Sequence, residues 1–168
     1  MLAREPDHQS NVGVAISEAM FEALSSGGRV RYAHGFLLDH VLLHHTIIGQ
    51  EARTQLEGAT PDVVIACASS GANFGGLCFP FLKDRLAGSS ETRFVAVESA
   101  ACPTLTRGHY VEEHADRAGM SPRMKMYSLG RHYQQPAGHL GSLIFHGMSP
   151  LVSALYHGGH IEAQAVYQ

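Results

Sequence analysis

The sequence predicts an α/β protein built on a partial doubly wound parallel sheet with flanking helices, in three layers. Two short runs carry that prediction, Val63-Val64-Ile65-Ala66-Cys67 and Arg93-Phe94-Val95-Ala96-Val97-Glu98. Both are apolar without alternation, the pattern of strands buried on both faces of a sheet. Between them lie a loop of small residues and a helix-length segment from about Asn73 towards Leu86, so the order is strand, loop, helix, strand. That is a βαβ unit, the building block of a parallel sheet.

The remaining elements follow from periodicity. From Val14 to Leu24 apolar residues recur at helical spacing, and Ser25-Ser26-Gly27-Gly28 ends the segment. Arg29 to Ala33 suits a short strand. A second helix is expected from about Phe36 to Leu56, with Leu37, Val41, Leu42, Ile47 and Ile48 mostly inward. From Ala101 to Gly141 the chain is punctuated by Pro and Gly, with short helices expected near Pro103 to Arg107 and Arg123 to Leu129. Helix returns near Met148 to His157, and Ile161 to Tyr167 reads as a strand. Two or three strands are few for a parallel sheet, which needs helices on both faces. The open edge predicts a chain that aggregates or oligomerises on its own.

Composition narrows the partners. Twelve Lys and Arg against fifteen Asp and Glu, with no basic stripe, argue against nucleic acid and anionic membrane. The apolar runs are too short to cross a bilayer, and the polar N-terminal stretch lacks a signal-peptide core. Cys67, Cys78 and Cys102 are odd in number and share no metal-type spacing, so they read as reduced thiols in a cytoplasmic protein.

The chemistry concentrates in Ser69-Ser70-Gly71-Ala72-Asn73, which follows a strand and opens a helix. Ligands of open α/β sheets bind at the carboxyl ends of the strands. Backbone N–H groups and the helix dipole favour an anion there, and small side chains let a phosphate approach. A phosphate cradle and a tight turn packed with small residues both satisfy this pattern. Gly71, Gly75 and Gly76 do not make a dinucleotide fingerprint, and no Lys follows as a Walker loop requires. Ala68-Ser69-Ser70-Gly71-Ala72 also outlines a nucleophile elbow, with Ser70, Asp116 and either His139 or His146 in the chain order of a serine hydrolase. Glu98 ends the next strand and is expected to face the same crevice, or else to be solvated or to cap a helix. His40 and His44 lie four apart, a spacing that can share a metal, but no third ligand is evident and no metal site is assigned.

Several stretches together resemble the beta chain of tryptophan synthase, in particular its divergent, stand-alone branch. They include Gly13-Val14-Ala15-Ile16-Ser17-Glu18-Ala19, His40-Val41-Leu42-Leu43-His44-His45-Thr46-Ile47-Ile48-Gly49-Gln50-Glu51-Ala52, Ala101-Cys102-Pro103-Thr104-Leu105-Thr106-Arg107-Gly108 and His146-Gly147-Met148-Ser149-Pro150. The similarity runs through nearly the whole chain in consistent order. It implies fold type II of the pyridoxal-phosphate enzymes and β-replacement, in which L-serine and indole give L-tryptophan and water. It also implies a homodimer and a possible alpha subunit.

The resemblance places Ser69, Ser70, Gly71, Ala72 and Asn73 on the family's GGGSN loop for the cofactor phosphate, and Glu98 on a carboxylate near the cofactor ring. Two of the loop's glycines are serine here, and their Cβ atoms weigh on any turn that needs positive φ. The Schiff-base lysine belongs to an upstream segment without a counterpart among residues 1–168, and the two lysines present, Lys83 and Lys125, do not match it. No catalytic residue is therefore assigned. Residues 1–168 are expected to form a single, incomplete domain, the central part of such a chain, inactive alone. A non-catalytic module for a phosphorylated ligand or a partner chain is the alternative, with the Ser70 hydrolase behind it.

Overall fold

The computed structural model describes residues 12–136 and 145–167. Three parallel strands, β1 (Val63–Cys67), β2 (Arg93–Ser99) and β5 (Glu162–Val166), form one sheet in the order β1-β2-β5. Val63 pairs with Arg93 and Cys67 with Val97, while Val95 pairs with Glu162 and Ser99 with Val166. Helix α3 (Ala72–Leu86) makes the crossover from β1 to β2. The second crossover, from β2 to β5, contains the short helix α4 (Thr104–Arg107), an antiparallel hairpin of β3 (His109–His114) and β4 (Arg123–Ser128), and helix α5 (Pro150–His157). Helices α1 (Val12–Ser25) and α2 (Asp39–Gln55) precede the sheet. The α/β class and the parallel sheet are as expected.

One expectation about the sheet fails for a topological reason. Both crossovers advance in the same direction across it, and right-handed connections then place their helices on one face. That face carries the main core, where Val64, Phe94 and Ala96 meet Phe74, Cys78 and Leu82 of α3 and Val152 of α5. The opposite face has no helix layer among the described residues. Ile65 is 62% exposed and Val63 and Val166 are also exposed, so β1 is not buried on both faces.

Helix α2 packs along α3 through absent side chains. A Cβ on Gly49 would lie 2.9 Å from the Gly76 carbonyl oxygen, and one on Gly76 would lie 2.6 Å from His45 Cβ. Arg53 adds a hydrogen bond to the Pro80 carbonyl and an ion pair to Asp84 at 2.7 Å. Because Leu42, His45 and Gly49 take the inward side, Ile47 and Ile48 face outward, contrary to the periodicity. The helix also begins later than expected, because Leu37 sits at φ 75° with its side chain fully buried.

Two further elements differ. Residues 29–33 find no strand partner, and Tyr32 Oη instead hydrogen-bonds His34 Nδ1 at 2.7 Å. Residues 123–128 form a strand rather than a helix, since Met126 and Ser128 alternate inward and pair with Val111 and His109. Asp116 fixes the connection of this hairpin by accepting from Met120 N, Ser121 N, Ser121 Oγ and Ser17 Oγ. A second small core, Ile16, Leu37, Ala115, Met126 and Phe145, joins α1 to the hairpin.

Replacing Gly49 by Ala is expected to lower stability by about 2 kcal/mol, because an added methyl meets backbone rather than a movable side chain; chemical denaturation checks this. The uncovered sheet face predicts concentration-dependent association in sedimentation, weakened by Ile65→Lys. A monomer at all concentrations contradicts it.

Candidate functional site

Strand β1 ends at Cys67, and the chain then turns sharply into α3. The turn needs two left-handed residues, Ser69 at φ 47° and Gly71 at φ 106°. Gly71 is the N-cap of α3 and has no side chain to offer, so the first-turn N–H groups at Ala72 and Asn73 meet no side-chain acceptor. They lie where the positive end of the helix dipole favours an anion. Gly71 N donates to Ala68 O at 2.8 Å and Ala68 N to Val97 O at 2.7 Å, which ties the turn to β2.

The Ser serving at position 69 carries a Cβ in a region that costs of order 1 kcal/mol or more for a residue other than glycine. Position 71 retains the glycine that its surroundings demand. A Cβ there would stand 2.9 Å from Ser149 Cβ and 3.2 Å from Met148 Sδ.

A cavity of about 300 Å³ opens in front of the turn. Cys67, Ser69, Ser70, Ala72 and Asn73 line one wall. Phe36 and Phe145 supply an apolar wall, their rings edge to face with centroids 5.2 Å apart. His45 also lines it, and its Nδ1 is a buried atom without a hydrogen-bond partner. Asn73 Nδ2 reaches back to Cys67 O at 3.4 Å. Sequence reasoning found the small-residue wall but neither His45 nor the two phenylalanines. For His45 the signal is the Gly49 and Gly76 pair, which lets α2 lie close to α3.

Glu98 goes elsewhere. It is buried at the end of β2, and Oε2 accepts from Leu105 N at 2.9 Å and Thr104 Oγ1 at 3.2 Å. Its Oε1 accepts from Thr106 N at 2.8 Å and Thr106 Oγ1 at 2.7 Å. Both oxygens hold the α4 turn, and Glu98 is not among the residues lining the cavity. The helix-capping outcome anticipated for such a carboxylate is the one the geometry takes.

The hydrolase constellation is not assembled among the described residues. His146 Nε2 donates to His114 O at 2.9 Å, and Asp116 is committed to the hairpin connection. Neither is hydrogen-bonded to Ser70, whose carbonyl accepts from Ser149 N at 2.9 Å. His139 lies outside the described residues. His44 Nδ1 bonds His40 O at 2.7 Å on the exposed side of α2, and among the described residues no three His, Cys, Asp or Glu are grouped to hold a metal. Burial pushes the Cys78 thiol up to about 12 and that of Cys102 to about 11, so neither is a ready nucleophile. Of the lysines, Lys83 stands in the last turn of α3 and Lys125 Nζ lies 4.9 Å from the Tyr110 ring centroid on the hairpin. Neither lines the cavity.

A glycine-pinned turn at the carboxyl end of a parallel strand, opening a helix onto a half-apolar cavity, defines an α/β protein with a candidate site for a phosphorylated ligand. No protein-family model matches the chain. Over its whole length, however, it is 50% identical to the protein named tryptophan synthase beta chain 2 of Methanothermobacter thermautotrophicus, covering 39% of that protein. It is 46% identical to its namesake in Aeropyrum pernix and 45% to that of Thermotoga maritima, covering 38% and 40% of them. The chain is thus homologous to one stretch of the tryptophan synthase beta chains, and it spans about two fifths of their length. Among solved structures, a fungal L-serine ammonia-lyase from Rhizomucor miehei, an enzyme of fold type II, superposes with a TM-score of 0.56 at 18% identity. The match covers 86% of this chain and 41% of that one, which shows the shared fold.

Close to the site, burial pushes the His146 imidazole below its usual value of 6.5, with the His114 carbonyl opposing the shift. A lowered folded value means that the unfolded chain binds the proton more readily. The stabilisation is complete above about pH 6.5 and is lost as pH falls through the folded value. The melting temperature is therefore expected to drop between pH 7 and 5, and His146→Gln to flatten that dependence.

Proposed function

We propose that this stretch is the cofactor-phosphate-holding centre of a tryptophan synthase beta-type enzyme, whose full protein joins L-serine and indole to give L-tryptophan and water. The observation that carries the proposal is the uncapped start of α3 behind the Gly71 turn, facing the cavity, at the position where the resemblance places the phosphate loop. The buried His45 Nδ1, without a hydrogen-bond partner, adds a polar atom to the residues that line the cavity, which suits a polar ligand. Pyridoxal phosphate bound there would supply an electron sink for bond changes at an amino acid's α- and β-carbons.

The residues of this chain would bind and orient. The N–H groups of Ala72 and Asn73 hold the phosphate, with the hydroxyls of Ser69 and Ser70 beside them. Phe36 and Phe145 keep water from the apolar wall. Glu98 sets α4 without touching the ligand. With neither lysine at the cavity, the described residues place no amine there to bond the cofactor's aldehyde, and in this proposal the stretch is inactive by itself. The homodimer and any alpha-type partner belong to the full protein in this proposal, as does the incomplete domain of residues 1–168.

Calorimetry on the full chain tests it. Pyridoxal phosphate is expected to bind and inorganic phosphate to displace it, while pyridoxal without phosphate binds far more weakly. Ser69→Gly is expected to leave affinity within about twofold, because the left-handed backbone that glycine would relieve is present before the ligand binds. Borohydride treatment is expected to leave Lys83 and Lys125 unmodified. Equal affinity for pyridoxal, or a trapped adduct on Lys125, overturns the proposal.

A further inference from the structure

Strained turns persist only where their surroundings over-determine them. The 69–73 turn is held from the front by β2, but its back wall comes from a segment about eighty residues downstream. Ser149 there is fully buried. Its N–H donates to Ser70 O at 2.9 Å, and its hydroxyl accepts from Val152 N at 3.4 Å as the N-cap of α5. The same side chain occupies the space in which a Cβ of residue 71 would stand.

Ser149 is anchored in turn. Ser153 N donates to Ser149 O at 2.9 Å, and Ser153 Oγ links Met148 O at 3.3 Å to Tyr127 N at 3.0 Å. Met148 N donates to Tyr127 O at 2.9 Å. A continuous set of hydrogen bonds thus runs from β4 to the cap of α5 and on to the turn that starts α3.

We propose that Ser149 is the positioning residue of the 69–73 loop: its hydroxyl, fixed as the cap of α5, bears on Gly71 and holds the N-terminus of α3 in its ligand-ready geometry. The loop's shape then depends on the hairpin and α5 as much as on its own residues. As far as it concerns phosphate, this rests on the cradle assigned above.

Two readouts separate the proposals. Amide hydrogen exchange at Gly71 and Gly75, whose N–H groups are bonded to Ala68 O and Gly71 O, reports the loop without any ligand. In Ser149→Ala both amides are expected to exchange about tenfold faster, the size of effect that losing a cap produces. Leu82→Ala, which empties core space near the far end of α3, is the control for general destabilisation and is expected to leave both amides within about twofold of wild type. Affinity for pyridoxal phosphate is expected to fall about tenfold in Ser149→Ala and to hold in Leu82→Ala.

Unchanged exchange in Ser149→Ala, or equal acceleration in the control, overturns the positioning role whether or not phosphate binds. Faster exchange at the two amides in a protein that binds no phosphate even as wild type supports the positioning role and removes the cradle instead.

Discussion

The contact between Gly71 and Ser149 is the point on which the site depends. A backbone at φ 106° starts α3, and the cap of α5 fills the volume that any side chain at 71 would need. Two helices therefore begin against one another, and neither N-terminus can move without the other. The arrangement leaves the first-turn N–H groups of α3 facing the cavity, because the residue that would normally cap them has no side chain. The open donors and the tight turn are two results of the same glycine.

The rest of the scaffold serves that junction. The Gly49 and Gly76 seam lets α2 lie close enough to α3 to bring His45 to the cavity, and β2 holds the turn through Ala68. The hairpin closes the far side, with Asp116 as its clamp. Burial works against that carboxylate's charge, but the N–H groups of Met120 and Ser121 and the hydroxyls of Ser121 and Ser17 outweigh it and hold its pKa well below the carboxylate range. Glu98 does the same work for α4, which shows that a carboxylate at the end of a strand need not point at the ligand crevice.

Among the described residues the uncovered sheet face has a topological cause. Right-handed crossovers that run one way across a sheet build a helix layer on one face only. A main core around Phe74, Phe94 and Val152 holds the 69–73 turn in shape, while Ile65 and Val166 are exposed.

By itself, the sequence determined the βαβ unit, its strand ends and the placement of Ser69, Ser70, Gly71, Ala72 and Asn73 at a helix start. Those features are local: apolar runs, small residues and helical spacing encode them within a few residues. The order of stretches also identified the relatives. Tertiary structure alone decided that β1 has one open face, that residues 123–128 are a strand, that Ile47 and Ile48 turn outward, and that Glu98 caps α4. Each of these is settled by a partner far along the chain, namely the direction of a crossover, a paired strand, a packed helix or a remote turn. The same holds for the loop first singled out. Its residues are legible in order, but its shape is set by Ser149, whose contact with Gly71 has no trace in either residue's neighbours.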